Sequence, residues 1–98
     1  MAAYIIAQVE VTDPATFAQY RAQVPAVIAA YGGRYLVRGG QTETLEGEWH
    51  VSRLVVLEFP SMEQLKRFYH FYHEPAYAPL IAMRQTSADA VLVAVEGV

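Results

Sequence analysis

The segment Arg53-Leu54-Val55-Val56-Leu57-Glu58-Phe59 constrains the fold of this chain more than any other. Alternation sends Leu54, Val56 and Glu58 to one face of a strand and Val55, Leu57 and Phe59 to the other. Both sets are largely apolar, which is too apolar for an exposed edge and predicts an interior strand over Ser52–Phe59, stopped by Pro60. A sheet built around such a strand needs cover on two sides.

The rest of the chain supplies one strong layer of cover. Tyr4 to Val11 alternates, with Ile5, Ala7, Val9 and Val11 on one face and Tyr4, Ile6, Gln8 and Glu10 on the other, and reads as a strand. Asp13-Pro14 is an N-cap followed by proline at the first helical position. Phe17, Tyr20, Val24, Val27, Ile28 and Tyr31 then recur at helical spacing. Pro25 inside that helix is expected to bend or divide it, and Gly32-Gly33 to end it. Arg34–Arg38 is a short strand closed by Gly39-Gly40, whose paired glycines permit close backbone approach or positive φ. The polar Gln41–Val51 stretch reads as a ragged connection with a short strand over Glu43–Glu46. Ser61 with Gln64 three residues on is a capping box opening a second helix with an apolar stripe of Leu65, Phe68, Tyr69 and Tyr72. Pro75 interrupts or restarts it, Tyr77–Gln85 is a further helical piece, and Ala90–Glu96 alternates as a last strand.

Strand, helix, strand, strand, helix, strand is the ferredoxin-like split βαβ order, an α+β fold with an antiparallel four-stranded sheet and helices on one face. The opposite face, carrying Tyr4, Ile6 and half of the Leu54–Leu57 run, needs a second layer. Packing two sheets together supplies it, so a homodimer with a two-fold interface is expected. Composition agrees: 54% of residues are apolar and only 17% charged, more apolar surface than a 98-residue core needs to bury internally.

The motifs Val11-Thr12-Asp13-Pro14, Gly32 to Gly40, Leu45-Glu46-Gly47, Glu58-Phe59-Pro60-Ser61, Pro75-Ala76-Tyr77 and Met83-Arg84-Gln85 stand in this order along the chain. Together they resemble the domain-of-unknown-function 1330 family over a single domain, 1–98. The resemblance implies a dimeric α+β barrel and a cleft lined by Arg38, Glu58, Tyr77 and Arg84. His70-Phe71-Tyr72 looks like an insertion of about one helical turn relative to that family.

Several functions are excluded by composition. The chain has no cysteine, hence no disulfide, thiolate nucleophile or thiolate metal site. Seven scattered basic residues and a net charge of −3 give no footprint for nucleic acid. No apolar run reaches membrane-spanning length and the start lacks a basic signal region, so a cytoplasmic protein is expected. No nucleophile elbow, phosphate loop or dinucleotide fingerprint is present, and no cofactor is expected.

The residues left to carry chemistry are few. Glu58 ends an apolar strand, where it is either a ligand contact or general base, or one half of an edge salt bridge. Arg38 precedes the glycine pair and can fork onto a carboxylate, whether Glu58 or a ligand acid, and Arg84 after Leu80–Met83 is a second anion anchor. Phe68–Tyr77 is the densest aromatic cluster and reads as a pocket wall or as core. His70-x-x-His73-Glu74 lacks a third ligand of clear spacing, and no metal is expected. Trp49, beside His50 in the polar connection, either lids a pocket or pins the loop. Three functions follow: a binder of a small anionic or aromatic molecule; a cofactor-free enzyme of the monooxygenase or isomerase type moving a proton with Glu58 or a histidine such as His50; or a structural dimer.

Overall fold

The computed structural model describes residues 1–49, 51–72 and 78–98, of which 71, 72 and 78 are described as backbone alone. The elements run β1 (Ala3–Val11), α1 (Pro14–Ala30), β2 (Arg34–Arg38), β3 (Arg53–Phe59), α2 (Met62–Tyr72), α3 (Ala78–Ser87) and β4 (Ala88–Glu96). The sheet order is β2-β3-β1-β4, antiparallel throughout, with β3 interior as its two apolar faces require.

Local chemistry sets the element ends. Asp13 caps α1 by accepting from the Thr16 amide at 3.3 Å and the Thr16 hydroxyl at 2.7 Å, which holds its carboxyl below the ordinary range. At the other end the Gly32 amide donates to Ala29 and the Gly33 amide to Ile28, with Gly32 in the left-handed region at φ 78°. This double bond satisfies two of the last helical carbonyls, and the positive φ favours glycine. Pro25 does not divide α1, which runs unbroken from Pro14 to Ala30.

Half of the expected capping box forms. The Gln64 amide donates to Ser61 Oγ at 3.2 Å, but the Gln64 side chain does not return to the cap. It crosses to donate to the Tyr31 carbonyl at 3.1 Å, joining the start of α2 to the end of α1. The strand expected over Glu43–Glu46 is absent: residues 40–49 are exposed coil, with no apolar face to bury and no neighbouring strand to pair with.

All helices lie on one side of the sheet. Their side holds the core: Ala3 and Ile5 of β1, Leu57 and Phe59 of β3, Val24, Val27 and Ile28 of α1, Leu65 and Phe68 of α2, Leu80 and Ile81 of α3. The other side carries Tyr4, Ile6 and Gln8 paired with Val95, Val93 and Val91 on β4, and with Glu58, Val56 and Leu54 on β3. Val91, Val93 and Val95 are 62%, 55% and 42% exposed, so this face is apolar and uncovered by the chain itself. Among the described residues no helix is long and apolar enough to cross a membrane.

Candidate functional site

A β-bulge decides which arginines reach which face. The β2–β3 register pairs Arg34 with Glu58 and Tyr35 with Leu57, then shifts between Tyr35 and Val37, so that Val37 meets Val56 and Arg38 meets Val55. Strict alternation would place Arg34 and Arg38 on the same face. The extra residue, Leu36, turns Arg38 to the helix side. Arg34 stays on the open face and binds Glu58, Nε to Oε1 at 2.7 Å and Nη2 to Oε1 at 2.6 Å. Glu58 therefore realises its salt-bridge reading, with Arg34 as partner rather than Arg38 or Arg84.

On the helix side, Arg38 and Arg84 line one cavity between the sheet and the helices, with a volume of about 80 Å³. Its floor is Ile5, Ala7 and Val9 of β1 with Val55 and Leu57 of β3, and its roof is Phe17, Tyr20, Val24 and Ile28 of α1 with Phe68 of α2. The polar atoms on this apolar wall come chiefly from Arg21, Arg38, Arg53 and Arg84 and from tyrosine hydroxyls. No aspartate, glutamate or histidine is among the described residues that line the cavity. Glu58 points away from it.

Phe17, Arg21, Arg38 and Arg53 also line a shallower depression of about 390 Å³ outside the cavity, together with Val11, Pro14, Ala18 and Ala22. The three arginines thus stand where inner cavity and outer depression meet, while Arg84 belongs to the inner wall. Arg38 stacks over the Tyr35 ring at 4.7 Å and Arg53 over the Phe17 ring at 5.3 Å, contacts that orient flat guanidinium groups. Burial pushes the Tyr35 phenol above its ordinary range, so at neutral pH it is uncharged and does not neutralise Arg38.

Of the two glycines after β2, Gly39 acts as the sequence suggests, whereas Gly40 has neither a positive φ nor any atom within 4 Å of where a Cβ would stand. Gly39 has φ 72° and its amide donates to Leu54 at 2.9 Å. A Cβ on Gly39 would stand 3.2 Å from Arg53 Cγ, so the bare backbone lets the Arg53 side chain run alongside.

Sequence reasoning missed Arg21 and Arg53. Both had a signal: Arg21 lies four residues after the buried Phe17 on α1, and Arg53 alternates with Val55 and Leu57 on the core face of β3. Trp49 pins its loop, donating from Nε1 to Gln8 Oε1 at 2.8 Å on the open sheet face, far from a lid over the arginines. His50, Tyr77 and the His73-Glu74 pair lie outside the described residues.

An antiparallel four-stranded sheet in the order β2-β3-β1-β4 with its helices on one side is a ferredoxin-like α+β fold. Within it, this chain belongs to the family described as Domain of unknown function (DUF1330), which it matches over residues 2–98. Among solved structures it is similar to RPA0582, a protein of unknown function from Rhodopseudomonas palustris, with TM-score 0.76 and 18% identity over 99% of this chain and 82% of that one. It is also similar to SnoaB, a cofactor-independent oxygenase from Streptomyces nogalater, with TM-score 0.63 and 15% identity over 98% and 92%. A dimeric ferredoxin-like protein of unknown function from Bacteroides fragilis follows at TM-score 0.53 and 12% identity over 98% and 96%. No curated protein matches the sequence. At these identities the likeness establishes the fold.

Proposed function

We propose that this chain is a homodimeric small-molecule-binding protein whose cavity between sheet and helices takes a small organic anion. One observation carries the reading: an apolar cavity is lined by four arginines and, among the described residues, by no acid. Guanidinium groups beside apolar walls are attracted to a molecule with an apolar body and a charged end. An inner volume of about 80 Å³ suits a single ring or a short chain rather than a polycyclic molecule.

Binding is favoured over proton transfer by the same wall. A general base must stand within hydrogen-bond reach of the proton it takes. Glu58 is on the opposite face of the sheet and held by Arg34, and the described lining offers no carboxylate or imidazole. The likeness in fold to a cofactor-independent oxygenase keeps oxygenase chemistry as an analogy of architecture. The homodimer is supported by the uncovered apolar sheet face and by the dimeric description of the Bacteroides fragilis protein.

The test is calorimetric titration of benzoate into the protein and into Val55→Phe, which fills the cavity floor. Saturable binding to the parent and its loss in the folded variant is the expected result. No heat with the parent, or equal affinity in both, rejects this cavity as the binding site.

A further inference from the structure

Pro25 and Arg38 stand on different elements, yet both bear on one group, the Arg21 carbonyl. In an α-helix the carbonyl of residue 21 accepts from the amide of residue 25. Residue 25 is proline and has no amide hydrogen, and its ring crowds the carbonyl four residues back. The Arg21 carbonyl therefore lacks its usual helical donor. Arg38 Nη2 takes that place, donating to the Arg21 carbonyl at 2.9 Å. The proline that the helix would be expected to reject is the residue that opens a docking point for the arginine of the neighbouring strand.

The consequence is local and directional. The Arg38 guanidinium is held by the bond to α1 on one edge and by the Tyr35 ring beneath it. The same bond fastens it beside residue 21, whose own guanidinium lines the same mouth. Gly39, by leaving room for Arg53, brings the third guanidinium to that mouth. Arg21 and Arg38 are exposed while the cavity behind them is apolar, an arrangement that matches a molecule with an apolar end inward and an anion at the rim.

We propose that Pro25 is a positioning residue for an anion seat formed by Arg21, Arg38 and Arg53, and that the ligand of this cavity is a monocarboxylic acid whose carboxylate occupies the seat while its apolar body fills the space behind. This rests on the cavity reading given above. A guanidinium held at its far edge keeps its remaining N–H donors in fixed array and loses less freedom on meeting a carboxylate. Pro25→Ala returns an amide to the Arg21 carbonyl, so the helix reclaims its own bond and Arg38 is released.

The experiment compares the parent, Pro25→Ala and Arg38→Gln by two measurements. Guanidinium NMR of Arg38 reads the anchoring without any ligand, since a held guanidinium rotates and exchanges slowly. Calorimetric titration with benzoate and with uncharged benzyl alcohol reads its use. The expected result is a slowly exchanging Arg38 signal in the parent that is lost in Pro25→Ala, a roughly ten-fold weaker benzoate affinity in Pro25→Ala, equal to one hydrogen bond to a charged group, and benzyl alcohol affinity unchanged. Arg38→Gln should weaken benzoate at least as much, and adding Pro25→Ala to it should cost nothing more. An Arg38 signal indifferent to Pro25→Ala overturns the proposal, as does equal weakening of both probes, which marks a merely structural effect. Failure of both probes to bind the parent instead rejects the cavity reading, and the seat with it, whatever the NMR signal reports.

Discussion

At the scale of single residues, Glu58 is the instructive case. Its position at the end of an apolar strand offers either chemistry or a salt bridge, and sequence cannot choose between them, because the choice depends on which arginine lies across the strand. Alternation counted from Arg34 places Arg38 on the same face. The bulge at Leu36 separates them, leaving Arg34 for Glu58 and sending Arg38 to the cavity. A bulge leaves little trace in so short a strand, so the partner was not legible, although the salt bridge itself was one of the two expected outcomes. The Arg34 side chain is 70% exposed, and exposed ion pairs contribute about 1 kcal/mol or less. Glu58→Gln should therefore lower the melting temperature by no more than about 4–8 °C and leave benzoate affinity unchanged, since the residue faces away from the cavity. A large loss of affinity in calorimetry would return Glu58 to the site.

At the scale of elements, the boundaries that rest on capping chemistry were readable and those that rest on tertiary neighbours were not. Asp13-Pro14 and Gly32-Gly33 open and close α1 as their backbone preferences dictate. The Gln64 side chain, by contrast, leaves its own cap for the Tyr31 carbonyl, a choice made by how α1 and α2 meet. The turn at Gly33 joins these effects. A Cβ there would lie 2.6 Å from the Phe59 ring and 2.7 Å from Ile28 Cγ2, both buried core atoms. Gly33→Ala should thus overpack the joint between α1, β2 and β3 and cost about 1–3 kcal/mol. In a chain of this size that corresponds to a fall of roughly 4–8 °C per kcal/mol in thermal unfolding. An unchanged melting temperature would mean that the joint can open without strain.

At the scale of the whole molecule, the two faces of the sheet have separable tasks. The helix side encloses the arginine-rimmed cavity, while the open side presents Val91, Val93 and Val95 beside Tyr4, Ile6 and Val56. The two apolar faces of β3 made this division legible from sequence: with helices covering one face, the other had to meet something. Val93 pairs with Ile6 in the middle of the open face, so in the proposed dimer an arginine there would be buried unpaired between the two sheets and strongly destabilise their packing. Under the proposed homodimer, the parent should sediment as a dimer and Val93→Arg as a monomer. Trp49, the single tryptophan, is bonded to Gln8 on this face and reports the same event, its emission shifting to the red as the interface opens. Because the cavity is on the other side of the sheet, the monomeric variant should still bind benzoate with the parent's affinity. If affinity and dimer are lost together while the variant stays folded, the cavity is completed across the interface and the two faces are not independent.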